Sequence, residues 1–151
     1  MIRGEQLNVA IAACTYGVPL AMDAPTTSQN VGFNGSNGLE IKCAGTYELT
    51  FFVNFRFSAD SHLVFYVKAN GRQLPETVAA LDVQANRSYS FSRTVIVRLC
   101  AGTWLMPVVD NLYPYFTAQT QAQGCVTPPG NGILTIPGRG AHLQVRRIGA
   151  Y

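Results

Sequence analysis

The stretch Thr46–Phe57, TYELTFFVNFRF, decides the fold. Its odd positions are Tyr47, Leu49, Phe51, Val53, Phe55 and Phe57; its even positions are Thr46, Glu48, Thr50, Phe52, Asn54 and Arg56. Side chains on a strand point alternately to opposite faces. A period of two therefore lays one apolar row on a core and leaves a mostly polar row outside it. A helix, at about 3.6 residues per turn, would smear these rows around a cylinder. The segment reads as a long, half-buried β-strand.

The same period recurs on either side. Ser58-Ala59-Asp60-Ser61 reads as a turn, and Leu63–Val67 as the next strand, closed by Asn70-Gly71. Ser88–Leu99 sets Tyr89, Phe91, Val95 and Val97 against serines, Thr94 and Arg98, with Ile96 breaking the pattern. Ala101-Gly102 turns the chain into Trp104–Val109. Ile133–Ile136 and Leu143–Ile148 follow, separated by Pro137-Gly138-Arg139-Gly140. Earlier, Leu7–Ala13, Val18–Ala21, Val31–Phe33 and Leu39–Cys43 read as short strands. No stretch combines helical periodicity with caps. About nine or ten short strands with Gly-rich turns at even spacing predict an all-β sandwich or barrel, taken as one domain over residues 1–151. The segment Asp110–Gly132 is long for a loop, and loops of that length act in function or pack on a partner.

Composition narrows the classes. At 151 residues the chain can bury a core without metal or disulfide support. Charged residues are 13% of it, about half the usual ~25%. Such a surface must be covered by small polar residues or by partner subunits. The net charge is +3, but the basic residues are scattered, include only Lys42 and Lys68 as lysines, and adjoin only at Arg146-Arg147. Nucleic-acid binders cluster them, so no nucleic-acid partner is expected. The apolar run Leu7–Ala13 lacks the charged lead and cleavage pattern of a signal peptide, and no run approaches the ~20 residues of a membrane span. Neither a secretion signal nor a membrane partner is expected.

Cys14, Cys43, Cys100 and Cys125 form no C-x-x-C pair, and His62 and His142 are far apart in sequence, so no zinc site is expected. The bland reading of the cysteines is free, buried thiols. No Gly-x-Ser-x-Gly elbow, phosphate loop or His-Glu-x-x-His occurs, and none of the acids Glu5, Asp23, Glu40, Glu48, Asp60, Glu76, Asp82 and Asp110 lies in a recognised catalytic motif. His62 falls in the turn region and reads as a solvated polar residue. The chain is read as non-enzymatic, without cofactor. Asn34-Gly35-Ser36 and Asn86-Arg87-Ser88 match the glycosylation pattern, which needs a secretory route to be used. Tyr113, Tyr115 and Phe116 put three aromatic rings in the long loop, where they could stack on a glycan, anchor a protein contact, or fold back as a lid.

Several pieces, taken in order, carry a resemblance. They are Val18-Pro19-Leu20, Val31-Gly32-Phe33-Asn34-Gly35, Leu39-Glu40-Ile41, and Ala44-Gly45-Thr46-Tyr47-Glu48-Leu49. Asn70-Gly71, Thr94–Leu99 with Ala101-Gly102, and Gly140-Ala141-His142-Leu143-Gln144-Val145 complete the series. From about Leu7 to Ile148 the chain resembles the C-terminal globular domain of collagen-like glycoproteins of the spore exosporium, within the complement globular-head and tumour-necrosis-factor (TNF) superfamily. It departs from that family in lacking a Gly-X-Y stalk and in the length of Asp110–Gly132.

The resemblance implies a ten-strand, TNF-like jelly roll assembling as a homotrimer, with no catalytic residues. One sheet would then face the threefold axis. That accounts for Phe52, an aromatic ring on the polar row of its strand, where a partner must cover it. His142 and Gln144, alternating with Leu143 and Val145, are expected on the same interface. Following alternate strand directions, Cys43 and Cys125 fall at one end of the sandwich and Cys14 and Cys100 at the other. Four free thiols are expected, with Cys43–Cys125 the pair to test first. The functional expectation is a trimeric protein on the surface of a particle, with a bacteriophage capsid decoration or head-fibre protein ahead of a spore-surface head. A capsid or coat lattice would then be its partner. The alternative is a trimeric module that recognises a host glycan or receptor through the loop carrying Tyr113, Tyr115 and Phe116.

Overall fold

The alternating stretch forms the strand it predicts, extended by one residue to Gly45–Phe57. The computed structural model describes residues 7–12, 15–20, 31–33, 38–112, 132–137 and 140–149. Among them run twelve strands: β1 (Leu7–Ile11), β2 (Thr15–Pro19), β3 (Val31–Phe33), β4 (Leu39–Ile41), β5 (Gly45–Phe57), β6 (Ser61–Ala69), β7 (Arg72–Gln73), β8 (Ala79–Val83), β9 (Ser88–Leu99), β10 (Trp104–Asn111), β11 (Gly132–Ile136) and β12 (Ala141–Gly149). One 3-10 turn, Pro75–Thr77, precedes β8.

The strands form two antiparallel sheets. In one, β5 is flanked by β9 on one side and by β11 and β12 on the other, with β1 beyond β11. In the other, β10 lies between β6 and the pair β2 and β4, with β3 outside β4, and β7 and β8 outside β6. Tyr47, Leu49, Phe51, Val53, Phe55 and Phe57 turn inward from β5, none more than 2% exposed. They meet Leu63, Phe65 and Val67 of β6 and Leu105 and Val109 of β10 in one core. Aromatic rings bridge the sheets, with Phe55 and Phe65 4.7 Å apart and Phe91 of β9 5.1 Å from Phe65, while Phe91 meets Phe51 of its own sheet edge-on at 5.4 Å. Each such pair adds about 0.5–1.5 kcal/mol beyond the area it buries. Register is held because a one-residue slip would turn this whole row to water.

Asn70-Gly71 makes the hairpin turn between β6 and β7, with φ of 51° and 80°. Positive φ at both central residues is the type I′ geometry that Asn-Gly favours. Thr77 fixes the following turn: its hydroxyl donates to Leu74 O at 2.8 Å and accepts from Val67 N at 2.9 Å.

Several expectations are corrected. The two strands missing from the sequence reading are β7 and β8. β8 is Ala-Ala-Leu-Asp-Val, and alanine carries little strand signal. Omitting β8 inverts the direction assigned to the next long strand. β9 in fact runs antiparallel to β5, with Leu99 opposite Gly45. Cys100 therefore sits at the same end of the sandwich as Cys43, not the opposite one, and both are exposed thiols, not buried ones. Cys14 and Cys125, with the Cys43–Cys125 pairing, lie outside the described residues.

His62 belongs to β6 rather than a turn, and its Nδ1 lies 2.5 Å from Asp82 Oδ1 of β8. β11 and β12 both run antiparallel to β5 along the same edge, as one line interrupted after Pro137. The early strand expected at Val18–Ala21 is Thr15–Pro19. Its Gly17 takes φ +66° beside a register shift in β10, and Gly17 N donates to Asp110 Oδ1 at 2.6 Å.

Candidate functional site

The even residues of β5 leave the core side and build the outer face of their sheet. Backbone pairing arranges them in rows with β9 and β12. Phe52 lies between Ser92 and His142, Thr50 between Thr94 and Gln144, and Glu48 between Ile96 and Arg146. The fold thus brings Phe52, His142 and Gln144 together on one face. The Phe52 ring and the His142 imidazole stack at 4.9 Å with 20° between their planes. Thr50 and Thr94 join their hydroxyls at 3.3 Å.

Charge is kept from the middle of this face. Glu48 and Arg146 pair at 3.1 Å in the third row, Arg98 stands opposite Thr46, and Arg56 lies at the other end opposite Ser88. The Glu48–Arg146 pair is partly exposed, and such pairs contribute about 0–1 kcal/mol. The centre offers hydroxyls, amides, one phenyl ring and one imidazole. Burial pushes the imidazole of His142 below its ordinary 6.5.

The sequence reading missed two members of this face. Ile96 of β9 is 64% exposed and Ile133 of β11 is 50% exposed. Ile96 gives the same signal as Phe52, an apolar side chain on the polar row of an alternating strand. Ile133 gives none, since its five-residue strand is too short to fix which face it presents. Tyr113, Tyr115 and Phe116 lie outside the described residues.

The opposite sheet carries a different arrangement. The Tyr66 hydroxyl donates to Asp110 Oδ1 at 2.9 Å, the oxygen that also accepts from Gly17 N. Burial first, then this bond and the carboxylate charge, push the Tyr66 phenol up to about 12. Asp110 thus works as a pin between strands. A cleft of about 340 Å³ opens at one end of the β5 sheet, lined by Asn54, Phe55, Ser88, Tyr89, Ser90 and Pro137. Among the described residues no three His, Cys, Asp or Glu side chains gather to hold a metal, and no helix is long and apolar enough to cross a membrane.

No family model matches the chain, and no curated protein matches it in sequence. In three dimensions it is similar to the Eiger TNF of S. frugiperda, with a TM-score of 0.65 at 13% identity, over 99% of this chain and 91% of that one. It is also similar to the globular domain of zebrafish complement 1qA protein, with a TM-score of 0.53 at 10% identity, over 97% of this chain and 99% of that one. The likeness is one of fold: the two sheets form a jelly-roll sandwich of the TNF and complement-head kind.

Proposed function

We propose that this jelly roll is a non-enzymatic structural protein that trimerises through the outer face of the β5 sheet and stands on the surface of a particle. The face itself carries the reading. It has an aromatic centre in Phe52 and His142, a surround of uncharged hydroxyls and amides, exposed Ile96 and Ile133, and charges only toward its ends. Interfaces share that anatomy, with charge depleted at the core and polar groups at the rim. An apolar residue on an outward row is commonplace singly. Phe52, Ile96 and Ile133 on one face of one sheet favour a partner there. The superfamily resemblance supplies its identity, two further copies of the same chain around a threefold axis.

A trimeric jelly roll matches a threefold position in a capsid or coat lattice. The low charge of the chain fits a surface covered within an assembly. A bacteriophage capsid decoration or head-fibre protein is the first candidate, and the head of a spore exosporium protein the second. The test is immunogold labelling of virions and spores purified from cultures that produce the protein. Label on intact virions supports the first candidate, and label on spores the second. Protein found only free in the medium, and bound to host glycans or receptors, would overturn the particle role. It would favour recognition through the loop of Tyr113, Tyr115 and Phe116, with three copies adding avidity.

A further inference from the structure

We infer that assembly through this face is switched by pH, with His142 as the titrating group: the neutral imidazole is covered in the trimer, and its protonation releases the subunits. The inference deepens the trimer reading above and rests on it. His142 sits in the middle row, stacked on Phe52, with Ser92 beyond it, and with Thr50 and Gln144 in the neighbouring row. Asn54 of β5 lies on the other side. None of these side chains is a carboxylate.

The charged groups sharing the face are Glu48 and Arg56 of β5, Arg98 of β9 and Arg146 of β12. Among the described residues its only carboxylate, Glu48, is in an ion pair with Arg146. Among the described residues, β11 adds Ile133 and Thr135 and β1 adds Asn8 and Ala10, all uncharged. The other sheet packs on the opposite, inward side of β5. Among the described residues, an imidazolium here would meet a face of net positive charge and no unpaired carboxylate.

Covering the face strips water from the imidazole, and burial without a partner disfavours the charged form. Threefold symmetry repeats the penalty in each subunit and adds repulsion between like charges. The stacking on Phe52 would favour an imidazolium, by about 0.5–1 kcal/mol at an exposed site. That pair lies within one subunit and is present in both states, but it strengthens to about 2 kcal/mol when desolvated, so it offsets part of the burial penalty in the trimer, which remains the larger effect.

Imidazole titration is therefore lower in the trimer than in the free subunit, where burial already holds it below 6.5. The trimer binds fewer protons than its released subunits. Assembly is at full strength above the free-subunit value and weakens as pH falls toward the trimer value. With three sites per trimer, the dissociation constant rises by up to about 1000-fold per pH unit between the two values.

The experiment is sedimentation velocity at constant salt from about pH 8 down to about pH 5.5, above the ordinary carboxylate range. It compares the wild type, His142→Gln and the control His62→Gln, with circular dichroism following the fold. The expected result is a wild-type trimer that separates into folded subunits as pH falls. His62→Gln should behave identically, and His142→Gln should stay trimeric throughout. A trimer that persists to the lowest pH would overturn the switch while leaving the trimer reading intact. So would a His142→Gln variant that separates along the wild-type profile. If His142→Gln fails to assemble at high pH, the wild-type slope decides alone: three protons taken up per trimer on separation support the switch, and none overturns it. A wild-type monomer at about pH 8 would sink the trimer reading itself, and the inference with it.

Discussion

Tyr66 is 6% exposed, and its hydroxyl donates to Asp110 at 2.9 Å. Its phenol titrates at about 12 in the folded chain against 10.0 ordinarily. As pH rises past the lower value, the unfolded chain gives up this proton and the folded chain keeps it. Stability is thus intact below about pH 10 and is lost toward about pH 12. Tyr66→Phe should lose about 1 kcal/mol near neutrality, the net worth of a hydrogen bond, and show a shallower decline at high pH. Urea titrations across that range check both. Tyr47, buried and also raised, supplies the decline that remains. Phe52 makes a contrasting case, because its ring lies outside the core. Phe52→Ser should leave the subunit folded and weaken the proposed trimer by about 10- to 100-fold per ring, from the 1.5–3 kcal/mol that burying a Phe side chain contributes. Sedimentation over a dilution series reads that change. Phe52 was legible in the sequence as a misfit in its row, and Ile96 gives the same signal in β9. Their shared face was not legible, since it depends on which strands pair with β5 and in what register.

Elements were legible where the alternation is long. β5 and β9, of thirteen and twelve residues, are read to within a residue at each end. β8 is lost because its inward residues begin with Ala79, too small to mark a core row. That one omission reverses the direction of β9 and misplaces Cys100. β2 is misread because a bulge at Gly17 breaks its period, and the residue that holds the bulge, Asp110, is distant in sequence. Asn111 is equally nonlocal. Fully buried, its amide donates to the carbonyls of Ile11 and Ala12 at 3.3 and 3.1 Å, and its oxygen accepts from the Ser61 hydroxyl. These bonds tie the end of β1 to β6 and β10, and so join the two sheets. Asn111→Ala should cost about 1–3 kcal/mol by stranding polar groups in the interior, measured as a lower urea midpoint with an unchanged slope.

At the scale of the molecule, two antiparallel sheets around an aromatic core follow from alternation and turn residues, and the likeness to TNF and complement-head structures agrees with that outline. One sheet of the sandwich carries a face in which a stacked phenyl–imidazole pair is ringed by uncharged groups. Two further copies of the chain are the proposed occupants of that face, and the particle-surface role and the pH switch both depend on that occupancy. The native mass of the purified protein in dilute buffer near pH 8 tests this most directly. The expected result is a particle of three 16.4 kDa subunits that persists on dilution and is shifted toward single subunits by Phe52→Ser. A wild-type protein that runs as a single subunit at every concentration would contradict it.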